Sequence, residues 1–189
     1  MGKIQKSQSN KRCRNGIKWL FIPLILFLIL VIGVLIFNHF FILNVSSSIP
    51  LGIYYKYPPK KNYRLGEIVI FKPWKNYEMF LYRQNYLEPG DLLMKYVQGL
   101  PGDSFSSFPE EENIWVLFKN GKTFFPYSRI FEKDSSGRFL PRFQEITIAE
   151  GEIFVMGLHP KSLDSRYFGS ISEENIVGIA KPFFTIGGL

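Results

Sequence analysis

A chain of 189 residues with 46% hydrophobic and 17% aromatic content can bury a core, which excludes a wholly disordered chain and leaves room for one domain plus a tail. The formal charge of +7 would suit nucleic acid, but six of the 23 basic residues lie in positions 1–18. The remaining 17 face all 16 acids, so the folded part is near neutral and nucleic acid is not an expected partner.

Residues 1–16 are polar and basic and are expected to be a cytoplasmic tail without regular structure. Cys13, the only cysteine, falls on this side, where thiols stay reduced. Residues 17–41 read as a membrane helix. No charge interrupts Trp19 to Phe37, and the run continues through Asn38 and His39 into Phe40, Phe41, Ile42 and Leu43. About 20 apolar residues span a bilayer, and a soluble helix normally keeps a polar face. A cleaved targeting segment has a shorter apolar part and a small-residue site. This one is longer and ends in bulky side chains, so it reads as an uncleaved signal anchor. Lys3, Lys6, Lys11, Arg12, Arg14 and Lys18 precede or open the span, and the first acid is Glu67. The positive-inside rule then keeps the N-terminus cytoplasmic and puts residues 42–189 outside the cytoplasm. The same cations suit anionic head groups, so the lipid bilayer is an expected partner.

After a polar turn segment, Asn44–Pro50 (NVSSSIP), strand-like runs alternate with turn signals, which indicates a mainly β domain. The expected strands are Gly52–Tyr57, Ile68–Phe71, Leu92–Gly99, Ile114–Phe118, Ile153–Leu158 and Ile176–Phe183. Asn120-Gly121 between Val116–Phe118 and Thr123–Phe125 predicts a tight hairpin. Residues 104–150 carry few other features and read as an insertion or cap.

Three segments could carry chemistry. In LLMKYVQG, strand alternation puts Leu93, Lys95 and Val97 on one face. A buried lysine has a lowered pKa, and its neutral amine can deprotonate a serine. The plain alternative is a lysine that snorkels to water. Ser48 lies in a serine cluster, two residues before Pro50; a turn fixed by Pro50 and Gly52 would hold its hydroxyl and N–H in place. By itself, SSSIPLG is also ordinary linker composition. SLDSRYFG, residues 162–169, sets Asp164 and Arg166 two apart, on one face if the segment is a strand, and offers Ser162 to orient a lysine amine. Its plain reading is a surface turn. A Ser-His-Asp triad has only His39 and His159 to draw on, and His159 is five residues from Asp164. No clustered metal ligands or nucleotide-binding glycines occur, so no metal or cofactor is expected.

Together these segments resemble the signal peptidase I superfamily. Lys95-Tyr96-Val97-Gln98-Gly99-Leu100-Pro101-Gly102-Asp103 is similar to its lysine box, and Ser162-Leu163-Asp164-Ser165-Arg166-Tyr167-Phe168-Gly169 to its Ser-x-Asp-Ser-Arg box. Ile176-Val177-Gly178 is similar to the strand that follows. The serine box departs from the housekeeping pattern: Pro50 is two residues after Ser48, not three, and Asn44 is four before it. That spacing resembles the conjugative-transfer, TraF-like branch. The resemblance implies a signal-peptidase-like β domain behind a membrane anchor. It implies Ser48 as nucleophile, Lys95 as general base, Ser162 as the serine that orients the lysine, and the Ser48 N–H with the Ser46 hydroxyl as oxyanion donors. Asp164 and Arg166 would be a supporting ion pair. The implied substrate is a membrane-associated precursor, a signal peptide or pilin type. A cyclising acyl transferase of the same family and a non-catalytic assembly protein are the alternatives.

Overall fold

The computed structural model describes residues 3–124 and 128–186, with side chains from residue 21 onward. Two units divide the chain, Met1–Phe41 and Ile42–Leu189. Within the first, α1 spans Lys3–Phe40. Its stretch Phe21–Phe40 is 20 residues long, with none buried, and is apolar enough to cross a membrane. Residues 3–16, expected to lack regular structure, continue the helix. They contain no proline and are rich in Lys, Gln and Arg, which favour helix. Pro23 lies inside α1, as membrane helices tolerate.

The second unit is mainly β. β1 (Phe41–Asn44) precedes the serine turn, β2 is Leu51–Tyr57, and β3 is Ile68–Phe71. A short helix, α2 (Glu78–Arg83), leads to β4 (Leu93–Gly99). Next come β5 (Ser104–Glu111), β6 (Ile114–Lys119), β7 (Lys122–Thr123), β8 (Arg129–Phe131) and β9 (Glu145–Thr147). β10 (Glu152–Met156), α3 (Ser165–Phe168), β11 (Ile171–Ser172) and β12 (Ile176–Ile186) complete it.

One sheet has the order β1-β2-β12-β3-β4-β10-β11; the other runs β7-β6-β5-β9, with β8 on β6. Apolar clusters cover both faces of the first sheet at its centre, so β3 (IVIF) is buried at every position, as a continuous apolar run demands. Val69, Phe71, Val97 and Phe154 face a large core shared with Phe105, Leu117 and Ile130 of the second sheet. Phe105 stacks on Phe154 at 3.9 Å between ring centroids. Ile68, Ile70 and Met94 face a smaller cluster with Ile49 and Tyr54.

The six expected strands all form, with no end moved by more than three residues. The hairpin forms as well. Phe118 pairs with Thr123 across Asn120-Gly121, and both turn residues have positive φ (50° and 73°), the geometry of a type I′ turn; Phe125 lies outside the described residues. Residues 104–150 are richer than expected. They hold the entire second sheet, whose inner face covers the main core.

Candidate active site

Lys95 sits in the middle of β4, opposite Val69 of β3. The alternation behaves as the sequence predicts: Leu93 and Val97 face the main core, while Met94 and Tyr96 face the smaller cluster. Lys95 is only 3% exposed, so it does not snorkel. Burial lowers its pKa from the ordinary 10.5 to about 8, with Asp164 pulling it up and Arg166 pushing it down. An amine of that pKa is partly neutral near pH 7.

The serine turn is built around Asn44, which is buried at the end of β1. Its Nδ2 donates to the carbonyls of Ser46 (2.8 Å), Ile49 and Pro50 (both 3.1 Å), and its Oδ1 accepts from the Ser46 N–H at 3.2 Å. Tyr54 closes the other end, donating its hydroxyl to the Pro50 carbonyl at 2.6 Å. The Leu158 N–H, just past β10, donates to the Ser48 carbonyl at 2.7 Å. Ser48 Oγ is thereby held between Ser46 Oγ and Ser162 Oγ, 3.1 Å from each. Its N–H donates to Ser46 Oγ at 3.2 Å. The two expected oxyanion donors therefore bond to each other. These are long contacts for hydroxyls, whose usual O···O distance is about 2.7–2.8 Å, so a stronger acceptor can displace them.

Asn44 is the residue whose part in the site the sequence reading missed, although an Asx residue ahead of a serine run is a turn signal. One side chain satisfies three carbonyls, so Asn44→Ala should let the turn relax. A displacement of about 1 Å at a reacting group can cost on the order of 100-fold in rate. A fall of at least tenfold in kcat, with the fold retained by circular dichroism, is the expected outcome; an unchanged kcat would contradict the bracing role.

The segment after β10 is a helical turn and not a strand. Asp164 and Arg166 do not share a strand face. Ser165–Phe168 form α3, with Asp164 as its N-cap accepting from the Arg166 N–H, a position that favours Asp. The ion pair forms all the same. Arg166 Nε reaches Asp164 Oδ1 at 2.8 Å and Nη2 reaches Oδ2 at 2.7 Å, with both residues fully buried. Burial disfavours the guanidinium charge, but Asp164 outweighs it and the Arg166 pKa is raised. The other Arg166 hydrogens go to the carbonyls of Pro160, His159 and Ser162. Asp164 Oδ2 also accepts from the Gly157 N–H at 2.9 Å. The pair thus clamps the turn that carries Ser162. Ser162 was expected to orient Lys95; its hydroxyl donates to Ser48 Oγ at 3.1 Å. Gly157 permits this approach, since a Cβ there would stand 2.4 Å from Ser162 Oγ.

A cavity of about 590 Å³ brings Ser46, Ser48, Lys95 and Ser162 to one surface, with Trp74 and His159 among its other walls. Asp164 and Arg166 are not among its walls. The Nδ1 of His159 is taken by the Lys161 N–H, at 3.1 Å, and the Asp164 carboxylate by Arg166 and Gly157, so these two do not form a triad. Among the described residues, no three His, Cys, Asp or Glu side chains cluster as metal ligands would. The arrangement is a serine hydroxyl flanked by two others, in a cavity with a buried lysine.

Residues 14–184 match the family model for signal peptidase, peptidase S26. The chain is similar to the plasmid transfer protein TraF of Escherichia coli, 30% identical over 75% of this chain and 81% of that protein. It is similar to the same extent to the conjugal transfer protein TraF of Agrobacterium fabrum, again 30% identical with the same shares covered. A signal peptidase I from Enterococcus faecalis matches 63% of this chain and 97% of its own, at 22% identity and a TM-score of 0.35.

Proposed function

The chain belongs to the signal peptidase family, peptidase S26, on its TraF-like branch, and from this we propose that it is a membrane-anchored serine peptidase acting through Ser48 and Lys95. The observation that carries the reading is their meeting in one cavity: a hydroxyl fixed by the serine turn and an amine whose pKa burial lowers to about 8. In the first step neutral Lys95 takes the Ser48 proton as Oγ attacks the carbonyl carbon of the scissile bond. The Ser48 N–H turns from Ser46 Oγ, and the Ser46 hydroxyl from Ser48 Oγ, to the developing oxyanion. The Lys95 ammonium then protonates the leaving amine, and an acyl-enzyme on Ser48 remains. Water, deprotonated by Lys95, resolves it to a linear product; an amine would resolve it to a product lacking one water.

The TraF relatives are named for plasmid and conjugal transfer. That supports a precursor of the conjugation apparatus, a signal peptide or pilin type, as substrate. The apolar helix and its basic flank support a single-pass inner-membrane protein with the catalytic domain in the periplasm.

Covalent trapping tests the reading. The full chain in detergent is treated with a serine-acylating electrophile, and the modified peptide is sequenced by mass spectrometry. A single adduct on Ser48, in preference to neighbouring Ser46 and Ser47, is expected. Labelling elsewhere, or labelling of Ser48→Ala to the same extent, would overturn the assignment.

A further inference from the structure

A second cavity, about 480 Å³, adjoins the one that holds Ser48; Tyr86, Lys161 and Leu163 line both. A chain lying across the first cavity can therefore continue into the second over these three side chains. The second cavity is apolar at Phe131, Leu140 and Leu163. Its polar groups are almost all donors. The one carboxylate, Asp134, is consumed. It pairs with Arg138 at 2.6 Å, accepts the Tyr86 hydroxyl at 2.6 Å, and accepts the backbone N–H groups of Ser136 and Arg138. Arg138 is consumed with it, stacking over the Tyr86 ring.

Two cations remain. Lys133 and Lys161 are exposed at this cavity and have no carboxylate partner among the described residues. Lys133 lies over the Phe139 ring, 4.5 Å from its centroid. Tyr167, buried in the wall, accepts from the Phe131 N–H at 3.3 Å, and its own hydroxyl hydrogen is left to donate. Two ammonium groups and a phenol hydrogen beside an apolar floor select an anion carried on an aliphatic stem.

We propose that this cavity binds a carboxylate of the precursor polypeptide, a few residues along from the bond presented to Ser48. The proposal rests on the peptidase reading above. A glutamate or aspartate side chain and a free C-terminal carboxylate present the same chemistry.

The test uses the full chain in detergent micelles and a peptide mixture digested from a whole proteome, with cut sites identified by mass spectrometry. An acidic group should be enriched at one position within about ten residues of the cut bonds. Synthetic versions of the best substrate, with Glu, Gln or Lys at that position and with a free or amidated C-terminus, then give kcat/KM. A preference of about fivefold for the carboxylate, carried by KM, is the size expected of a partly exposed ion pair. Loss with Gln assigns it to the side chain, and loss on amidation assigns it to the terminus. Lys133→Glu should reverse the side-chain preference, so that the Lys peptide is cut better, an exchange that a merely structural role would not produce. Cleavage that is indifferent to Glu, Gln, Lys and amidation, in both proteins, would overturn the inference and leave the peptidase reading standing. Failure to cut any peptide, with Ser48 refractory to acylation, would overturn both.

Discussion

Lys95→Ala is expected to lower precursor processing by about a thousandfold, the middle of the range for removing a general base, roughly 10² to 10⁴. The hydroxyl of Ser48 would keep its contacts with Ser46 and Ser162, both outside β4. Its proton would have no acceptor of matched pKa. The wild-type pH profile carries the same signature. Only neutral Lys95 can take the proton, so kcat/KM should rise with pH and level off above about 8. At pH 7 about one-tenth of the molecules hold the free amine, and below that the rate should fall close to tenfold per pH unit. Measurement of kcat/KM from pH 5 to 10 checks this, and a flat profile would rule out a lysine base.

Stability should run against activity at this residue. The folded pKa lies below the unfolded value, so between about 8 and 10.5 the unfolded chain binds more protons. Stability therefore increases as pH rises through that window, and below it the buried ammonium is a burden. A drop from 10.5 to about 8 corresponds to roughly 3 kcal/mol. Lys95→Met, which keeps the stem without the charge, should unfold at a higher temperature than wild type at pH 7 while remaining inactive. That combination marks a residue retained for chemistry rather than for the fold.

The legibility of the molecule follows the range of its interactions. β3 could be read because four consecutive apolar residues need no partner to be recognised. Burial of Lys95 could be read because Leu93 and Val97 flank it at strand spacing. The second sheet could not be traced this way. β7, β8 and β9 have two or three residues each, too few to repeat a two-residue alternation, and β5 hides its alternation behind Ser106, Ser107 and Pro109. At α3 the Asp164-x-Arg166 spacing would put the pair on one face only if the segment were a strand. The competing signal, an Asp opening a helical turn, is equally local and was the one that prevailed. The contact between Ser162 and Ser48 spans 114 residues of chain. No window of sequence contains it, and only the resemblance to a family brought the two together in advance.

Arg166→Ala should be the most destabilising single substitution in the site. It leaves the Asp164 carboxyl group buried with only the Gly157 and Arg166 backbone N–H groups as donors. It also removes the guanidinium donor from the Pro160, Ser162 and His159 carbonyls, of which His159 keeps the Ser162 N–H. Breaking a buried pair in this way typically costs about 3–5 kcal/mol, and for a chain of this size each kcal/mol moves the melting temperature by roughly 2–4 °C. A fall of about 10 °C or more in thermal unfolding is expected, against at most a few degrees for an exposed pair such as Lys60–Glu67. The variant has a second readout. Arg166 lowers the Lys95 pKa and Asp164 raises it. Removing the guanidinium alone should therefore carry the midpoint of the pH–rate profile above 8, whereas Asp164→Asn should carry it below. Opposite shifts from the two partners of one ion pair would show that the clamp also tunes the base. Shifts of the same sign, or none, would confine the pair to holding the Ser162 turn.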